Sequence, residues 1–381
     1  MLPTTSAQRC CAVRAPLLII ILVAASQLHR RESQAPSTDN TAGTRLAAEL
    51  LTSRMGYGAM EITATYNAPL PDDVALDLLE GIQRLGLTFY DTAEVYTRIS
   101  FGKFYKVPPN QTSEWYNEAI LGRHLRRLAR GSFTVGTKYN PFAHSGRCDH
   151  ATVAAALDAS LARLGLDFVD VYYLHRMPAT LKLLDECMDS LKRLVADGKM
   201  RHIGLSEVPP GWLRRAHAIH PVSVIQQEWS LVSRDLEADL VPLCAQLHPP
   251  VGVVAYSPLA RNLLANPERP SFRPETDRFN ATNWATNKRL AEQVAALAAQ
   301  KGASAAQLSL AWLYKRARSM GVSMVAIPGT TSLAHTRDDV AALKLDLDDR
   351  DMAALEGLAA TVAGARGTKQ YMRSTYKGVS T

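Results

Sequence analysis

Long apolar runs are scarce in this 381-residue chain. The longest, within APLLIIILVAAS near the N-terminus, has about twelve residues, against the ~20 that a membrane-spanning helix needs. Cysteine is sparse as well: Cys10, Cys11, Cys148, Cys187 and Cys244 make no CxxC pair and no dense framework. That excludes a disulfide-stapled mini-domain, and Cys148, Cys187 and Cys244 read as isolated buried thiols. No set of residues has metal-ligand spacing, so no metal is expected. No G-x-G-x-x-G opens a helix after the first strand, since GYGAME lacks the third glycine and the helix start; this argues against an open dinucleotide-binding sheet. Aromatics make up 7%, and none interleaves with the charge of the densest basic stretch. The net charge of +7 therefore does not indicate nucleic-acid binding. Its densest piece, GRHLRRLAR, spaces Arg123, Arg126, Arg127 and Arg130 as one solvated helix face.

What is present describes a globular protein, 47% hydrophobic and 21% charged. Two arginines and no acid precede the apolar run, and Ala24, Ala25 and Ser26 follow it. Residues 1–26 thus read as a signal peptide, with an uncleaved anchor or an organelle presequence as alternatives, and direct the chain to the secretory pathway or an organelle. Contact with a membrane is expected only through this segment. Residues 27–49 read as a polar linker, 50–365 as one domain and 366–381 as a basic C-terminal tail. Two sequons, at Asn110 and Asn280, matter only if the chain enters the secretory pathway.

From Met55 onward, short β-rich runs alternate with amphipathic stretches, the pattern of a parallel sheet with helical crossovers. The runs are MGYGAM, TFYD, FTVGTK, FVDVYYLH, HIGLS, SVIQQE, VGVVAYS and MVAIPG. Helices are expected over 72–84, 114–129, 150–164, 180–197, 211–219, 235–247 and 287–318, with Asp72, Asp149 and Thr180 as caps. Eight such units fit a closed (β/α)8 TIM barrel, whose chemistry gathers at the C-terminal rim of the strands. Six successive strands end there in Asp91, Lys138, His175, Ser206, Gln226 and Tyr256. Each alone has an ordinary explanation, such as a turn cap for Asp91, a snorkelling surface lysine for Lys138 or a core histidine for His175. Their coincidence on one rim is the signal.

An acid, a phenol, a lysine and a histidine make a proton-transfer set. A phenol with a pKa of about 10 is a poor acid at neutral pH, and a nearby ammonium stabilises its anion. Lys138 would tune Tyr96, Asp91 would orient Lys138, and His175 would position a substrate carbonyl. Hydride must come from a cofactor, because no side chain supplies one.

FYDTAEVY, GTKYN, DVYYLHR, GLSE, IQQEWS, AYSPLAR and IPGTT resemble the aldo-keto reductases in order and spacing, over about residues 50–365. The resemblance implies Tyr96 as general acid/base with Asp91, Lys138 and His175 completing a tetrad, and a small carbonyl or sugar substrate. It also implies an extended NADP(H) across the rim. Ser206 and Gln226 would bond the nicotinamide amide, Tyr256 would stack on the ring, and Ser257, Leu259 and Arg261 would line the pyrophosphate path. Gly329, Thr330, Ser332, Asp338 and Asp339 would take the adenosine half.

Three departures qualify this resemblance. Thr97 replaces the glycine usual after the tyrosine. Thr331 and His335 stand where lysine and arginine are common, with Arg337 displaced, which leaves NAD(H) an alternative to NADP(H). ARNLL replaces GRGFL, so the loop over the cofactor is expected to be stiffened or reshaped. The stretch after Tyr96 is long and carries Phe101, Phe104, Tyr105, Trp115 and Tyr116, a lid over the substrate unless these rings simply pack the loop down. The tail either folds over the cofactor or stays disordered. Two rival readings are a Schiff-base aldolase using Lys138 and a cofactor-binding regulatory subunit like the channel-associated members of the superfamily. Oligomeric state does not follow from the sequence.

Overall fold

In the computed structural model, residues 44–47, 50–63, 68–97, 116–266, 268, 276–375 and 378 are described. A short antiparallel hairpin, β1 (Thr44–Ala47) and β2 (Leu50–Thr52), precedes eight parallel strands. These are β3 (Tyr57–Gly58), β4 (Phe89–Asp91), β5 (Thr134–Tyr139), β6 (Val169–Leu174), β7 (Met200–Ser206), β8 (Val222–Glu228), β9 (Gly252–Tyr256) and β10 (Met324–Ala326), neighbours in sequence order. A parallel bridge from Met55 to Ala326 and the bond from Gly56 N to Ala326 O (2.9 Å) join the first and last strands into a barrel. All eight expected strands are present in the expected order.

Side-chain alternation along the strands makes two cores. In β6, Tyr172 and Leu174 pack outward with the helices, while Val171 and Tyr173 join Phe89, Val224, Val254, Val325 and Ile327 inside the barrel. The inward ring of Tyr173 lies against Gly204, where any Cβ would collide with it. The hairpin closes the bottom. Leu46 and Leu50 belong to the inner cluster, and Leu46 approaches Gly252 so closely that a side chain there would strike its carbonyl. Residues 44–47, expected to be linker, are thus part of the fold. Their polar neighbours concealed a strand only four residues long.

Helices surround the sheet: α1 (Asp72–Arg84), α2 (Asn117–Leu125), α3 (His150–Leu164), α4 (Leu181–Ala196), α5 (Pro210–Ile219), α6 (Leu240–Gln246), α7 (Ala281–Gln300), α8 (Ala305–Ser319), α9 (Leu333–Ala341), α10 (Asp349–Ala359) and α11 (Lys369–Arg373). Asp149 and Thr180 cap α3 and α4 as expected, accepting from Thr152 N and Leu183 N. Asp72 instead lies inside α1, paired with Arg123 at 2.7 Å. The stretch 287–318 is two helices, broken at Gly302 in a left-handed conformation (φ 64°). Asn280 caps α7 by accepting from Asn283 N at 2.9 Å, so this sequon asparagine already has a structural task; Asn110 lies outside the described residues.

Two further expectations are corrected. Helix α2 ends at Leu125, so Arg130 does not share a helix face with Arg123. Arg130 lies over the rings of Phe133 and Phe168 and bonds Asp170 at 2.7 Å. Cys148 and Cys187 are not isolated thiols. They form a buried disulfide that ties the start of α3 to α4, while Cys244 stays a free buried thiol that burial pushes up to about 12. The 39-residue separation had disguised the pairing. Closing such a loop stabilises by about 4 kcal/mol in the chain-entropy account. Reduction of the unfolded protein followed by refolding should lower the thermal midpoint by about 5–10 °C. Non-reducing peptide mapping should recover Cys148 linked to Cys187; both thiols free would contradict the pairing.

Candidate active site

The rim is assembled from β4 and β5. Asp91 ends β4, and Thr92 N bonds Gly136 O at 2.9 Å, so the chain leaves the strand still attached to its neighbour. Glu94 reaches across and accepts from Asn140 N (2.6 Å), with His144 Nε2 3.0 Å from its other oxygen. A turn then brings Tyr96 N to Ala93 O (3.0 Å), and Tyr96 O accepts from Asn117 N (2.9 Å). Asn117 is wholly buried, bonded to Thr92, Ala59 O and Thr63, and so ties α2 to this turn. Thr97 pairs with Tyr116 in an antiparallel bridge, which draws together the two ends of the long loop. Tyr116 carries Arg163 over its ring at 4.5 Å, ordinary packing against α3. Phe101, Phe104, Tyr105 and Trp115 lie outside the described residues.

Within this frame the tetrad is brought together. Lys138 is wholly buried and directs Nζ to Asp91 Oδ1 and to Thr92 O (2.6 Å). Nζ lies 5.1 Å from the centre of the Tyr96 ring. The Tyr96 and His175 rings meet edge to face, 5.8 Å apart at 84°. His175 follows β6, its N–H donating to Tyr139 O at 2.7 Å.

Burial dominates the electrostatics. It raises Asp91 above the usual carboxylate value, opposed by Lys138 and Gln226. It lowers Lys138, opposed by Asp91. Burial, helped by the charges of Arg176 and Lys138, holds His175 well below its ordinary 6.5, so the imidazole is neutral. Its Nδ1 is buried without a hydrogen-bond partner among the described residues.

The residues expected to hold the cofactor divide into two groups. Ser206, the last residue of β7, pairs in register with Gln226, two residues before the end of β8, and both are buried. Gln226 Nε2 donates to Asp91 Oδ2 at 2.7 Å, however, so that end of the amide serves the tetrad rather than lying open. Tyr256 ends β9. Ser257, Ala260, Arg261 and Asn262 all adopt left-handed backbone (φ 46°, 51°, 56° and 72°), so Ala260 and Asn262 keep the turn geometry that glycines would favour. Leu259 lies within this turn, its carbonyl accepting from Leu264 N at 3.2 Å. Gly329 passes so near Gly58 O that a Cβ would be crowded, and Thr330 O accepts from Tyr57 (2.7 Å). Ser332 precedes α9, with its N–H on Thr330 Oγ1 at 3.1 Å. Asp338 accepts from Ser304 (2.5 Å) and Gln307 (2.6 Å), and Asp339 is buried, with burial and Asp338 raising it well above a normal carboxylate. Asp338 is thus turned toward the start of α8. An aromatic ring, a hydroxyl, an amide, a guanidinium and a left-handed turn along one rim nonetheless make a donor set suited to a nicotinamide dinucleotide.

Part of the rim was missed. Glu207, left-handed at φ 57° and buried, is paired with Arg366 at 2.8 Å. Burial pushes Glu207 up, but Arg366 and Arg176 outweigh it and hold the carboxyl below its usual range. Arg366 also bonds Glu228 (3.1 Å) and donates to the Tyr256 hydroxyl (2.8 Å), which lies 2.5 Å from Glu207 and 2.8 Å from Tyr371 OH. The start of the tail is thus folded over the rim, and α11 follows it. The signals were there: Glu207 is the acid of GLSE, and Arg366 opens a segment rich in base and free of acid.

A closed eight-stranded barrel with an acid, lysine, tyrosine and histidine at its C-terminal rim is the architecture of the aldo-keto reductases. The sequence pattern of the Aldo/keto reductase family matches residues 54–360, and this chain belongs to that family of oxidoreductases. It is 34% identical over 313 residues, 79% of this chain and 83% of the relative, to probable aldo-keto reductase 1 from Glycine max. Among solved structures it is similar to an aldo-keto reductase from Klebsiella pneumoniae in complex with NADPH, at 25% identity and TM-score 0.63, covering 83% of this chain and 94% of the other. The fold is also shared with a glycerol dehydrogenase from Gluconobacter oxydans, at 22% identity and TM-score 0.68, covering 86% and 96%.

A neutral His175 carries a pH signature. Unfolded, it takes up a proton near 6.5; folded, it does so only well below that. Between the two values the unfolded state binds more protons, so stability is lost as pH falls below about 6.5. His175 contributes at most ~1.4 kcal/mol per pH unit to this loss. Urea midpoints at pH 7.5 and 5.5 should therefore fall less for His175→Gln than for the wild type; an equal fall would contradict the assignment.

Proposed function

We propose that the chain reduces aldehydes or ketones to alcohols with NADP(H), or oxidises sugar hydroxyls in the reverse direction, with Tyr96 as the proton donor and acceptor. The observation that carries this reading is the placement of Lys138 Nζ, buried between Asp91 and the Thr92 carbonyl and 5.1 Å from the Tyr96 ring. A buried ammonium beside a phenol lowers the cost of its anion, so the hydroxyl can give up a proton at neutral pH and take one back. Neutral His175 offers an N–H to the substrate oxygen and orients the carbonyl carbon without adding charge. Ser206, Gln226, Tyr256 and Arg261 would hold the nicotinamide cofactor, which supplies the hydride.

The Klebsiella relative, crystallised with NADPH, supports this choice of cofactor. Thr331, His335 and an exposed Arg337 offer no bidentate guanidinium at the positions expected for the 2′-phosphate, so discrimination against NADH should be weak. The aldolase alternative is disfavoured because Lys138 Nζ is already held by Asp91 and Thr92 O and because it leaves Ser206, Gln226 and Tyr256 at the rim without a role. The buried Cys148–Cys187 disulfide, together with the apolar N-terminal run, supports passage of the chain through an oxidising compartment.

Oxidation of NADPH and of NADH, followed by absorbance against a panel of aldehydes, tests the reading. Tyr96→Phe should lower kcat by about 10²–10⁴-fold while leaving NADPH affinity, read by fluorescence quenching, within about threefold. Wild-type turnover in Tyr96→Phe would refute the mechanism.

A further inference from the structure

Arg176 follows His175 directly, where the chain leaves β6 at the rim. Its guanidinium is partly buried, with Nη1 donating to the His175 carbonyl at 2.8 Å and Cζ 5.9 Å from the centre of the Tyr371 ring. Among the described residues no carboxylate lies within ion-pair distance of it. Its two neighbouring guanidiniums differ in this respect. Arg366 is matched by Glu207 and Glu228, and Arg261 lies 3.7 Å from Glu228. Tyr371 has all three guanidiniums within 6 Å of its ring centre.

The charge of Arg176 reaches the reacting groups. It disfavours the cationic forms of His175 and Lys138 and interacts with Tyr96 across the same space. Burial disfavours the Arg176 charge, and Tyr371, Tyr256 and Glu207 offset that from a distance. Among the described residues its hydrogen-bond acceptor is the His175 carbonyl, which leaves the guanidinium able to take a carboxylate in bidentate contact. The residue stands one position from the imidazole that would orient the carbonyl. A group seated on Arg176 would therefore belong to the same small molecule as the carbonyl held by His175.

We propose that Arg176 binds a carboxylate on the substrate, so that the preferred substrates are carbonyl compounds bearing an acidic group. This inference rests on the oxidoreductase reading above and deepens it. Arg176 is then a specificity-determining residue in contact with substrate.

The comparison of 4-carboxybenzaldehyde with its neutral methyl ester, methyl 4-formylbenzoate, tests it, at saturating NADPH and low salt. The wild-type protein should show the higher kcat/KM for the acid, with a preference that declines as salt is added. Arg176→Met should lower the acid-to-ester ratio by about 30-fold, the size expected for losing a charge-assisted hydrogen bond, and Arg176→Lys should restore part of it. Circular dichroism and NADPH affinity show whether the variants are folded and still bind cofactor. No preference for the acid in the wild type, or a ratio in Arg176→Met within twofold of wild type, would overturn the proposal. If neither aldehyde is reduced, the oxidoreductase reading fails first, and titration of benzoate into the protein by calorimetry decides the proposal alone. Benzoate binding lost in Arg176→Met would support it; no benzoate binding to the wild type would end it.

Discussion

The ion pair between Lys138 and Asp91 is the contact on which the rim is built. Both groups are buried inside the mouth of the barrel, where an ammonium without a partner costs several kcal/mol. Around that pair three neighbouring polar groups are committed. Gln226 holds the second oxygen of Asp91, the Thr92 carbonyl holds a second proton of Lys138, and Asn117 holds Thr92. Removing either charge would strand the other, at a cost of about 3–5 kcal/mol. Such an arrangement contributes little net stability. What it secures is one position for the ammonium, and hence one electrostatic environment for Tyr96.

A second cluster performs the same kind of service on the far side of the rim. Arg366 joins Glu207, Glu228 and the Tyr256 hydroxyl, so the C-terminal segment fixes an aromatic ring at the end of β9. Glu207 occupies a left-handed backbone position that a glycine would adopt more easily. The strain is accepted where a buried carboxylate is needed, a pattern common at functional sites. The charge of Arg176 acts on both clusters, on Lys138 in one and on Glu207 in the other.

The barrel was legible because the strands are short β-rich runs, six of them leading to a polar residue at the rim, and amphipathic stretches separate them. The gathering of Asp91, Tyr96, Lys138 and His175 was legible because they sit at strand ends or just beyond, where topology alone places residues on one rim. Contacts distant in sequence and without a local pattern were not legible. Cys148 and Cys187 lie on different elements, and nothing in the spacing pairs them. Arg366 meets Glu207 across 159 residues, and the sequence left the tail open between folding over the rim and disorder because its acidic partners lie elsewhere. Leu46 was absorbed into a polar linker because one buried leucine in a four-residue strand makes no periodic signal. Asp338 and Asp339 matched a motif by position, but the fold turns Asp338 toward Ser304 and Gln307.

The central claim is that the charge on Lys138 sets the proton affinity of Tyr96, and the pH dependence of alcohol oxidation measures it most directly. In that direction the phenol must lose its proton, so the rate rises with pH through the apparent pKa of Tyr96. For Lys138→Met the account predicts that this rise moves upward by about one unit or more, beyond any fall in maximal rate. A profile unmoved in Lys138→Met would contradict it.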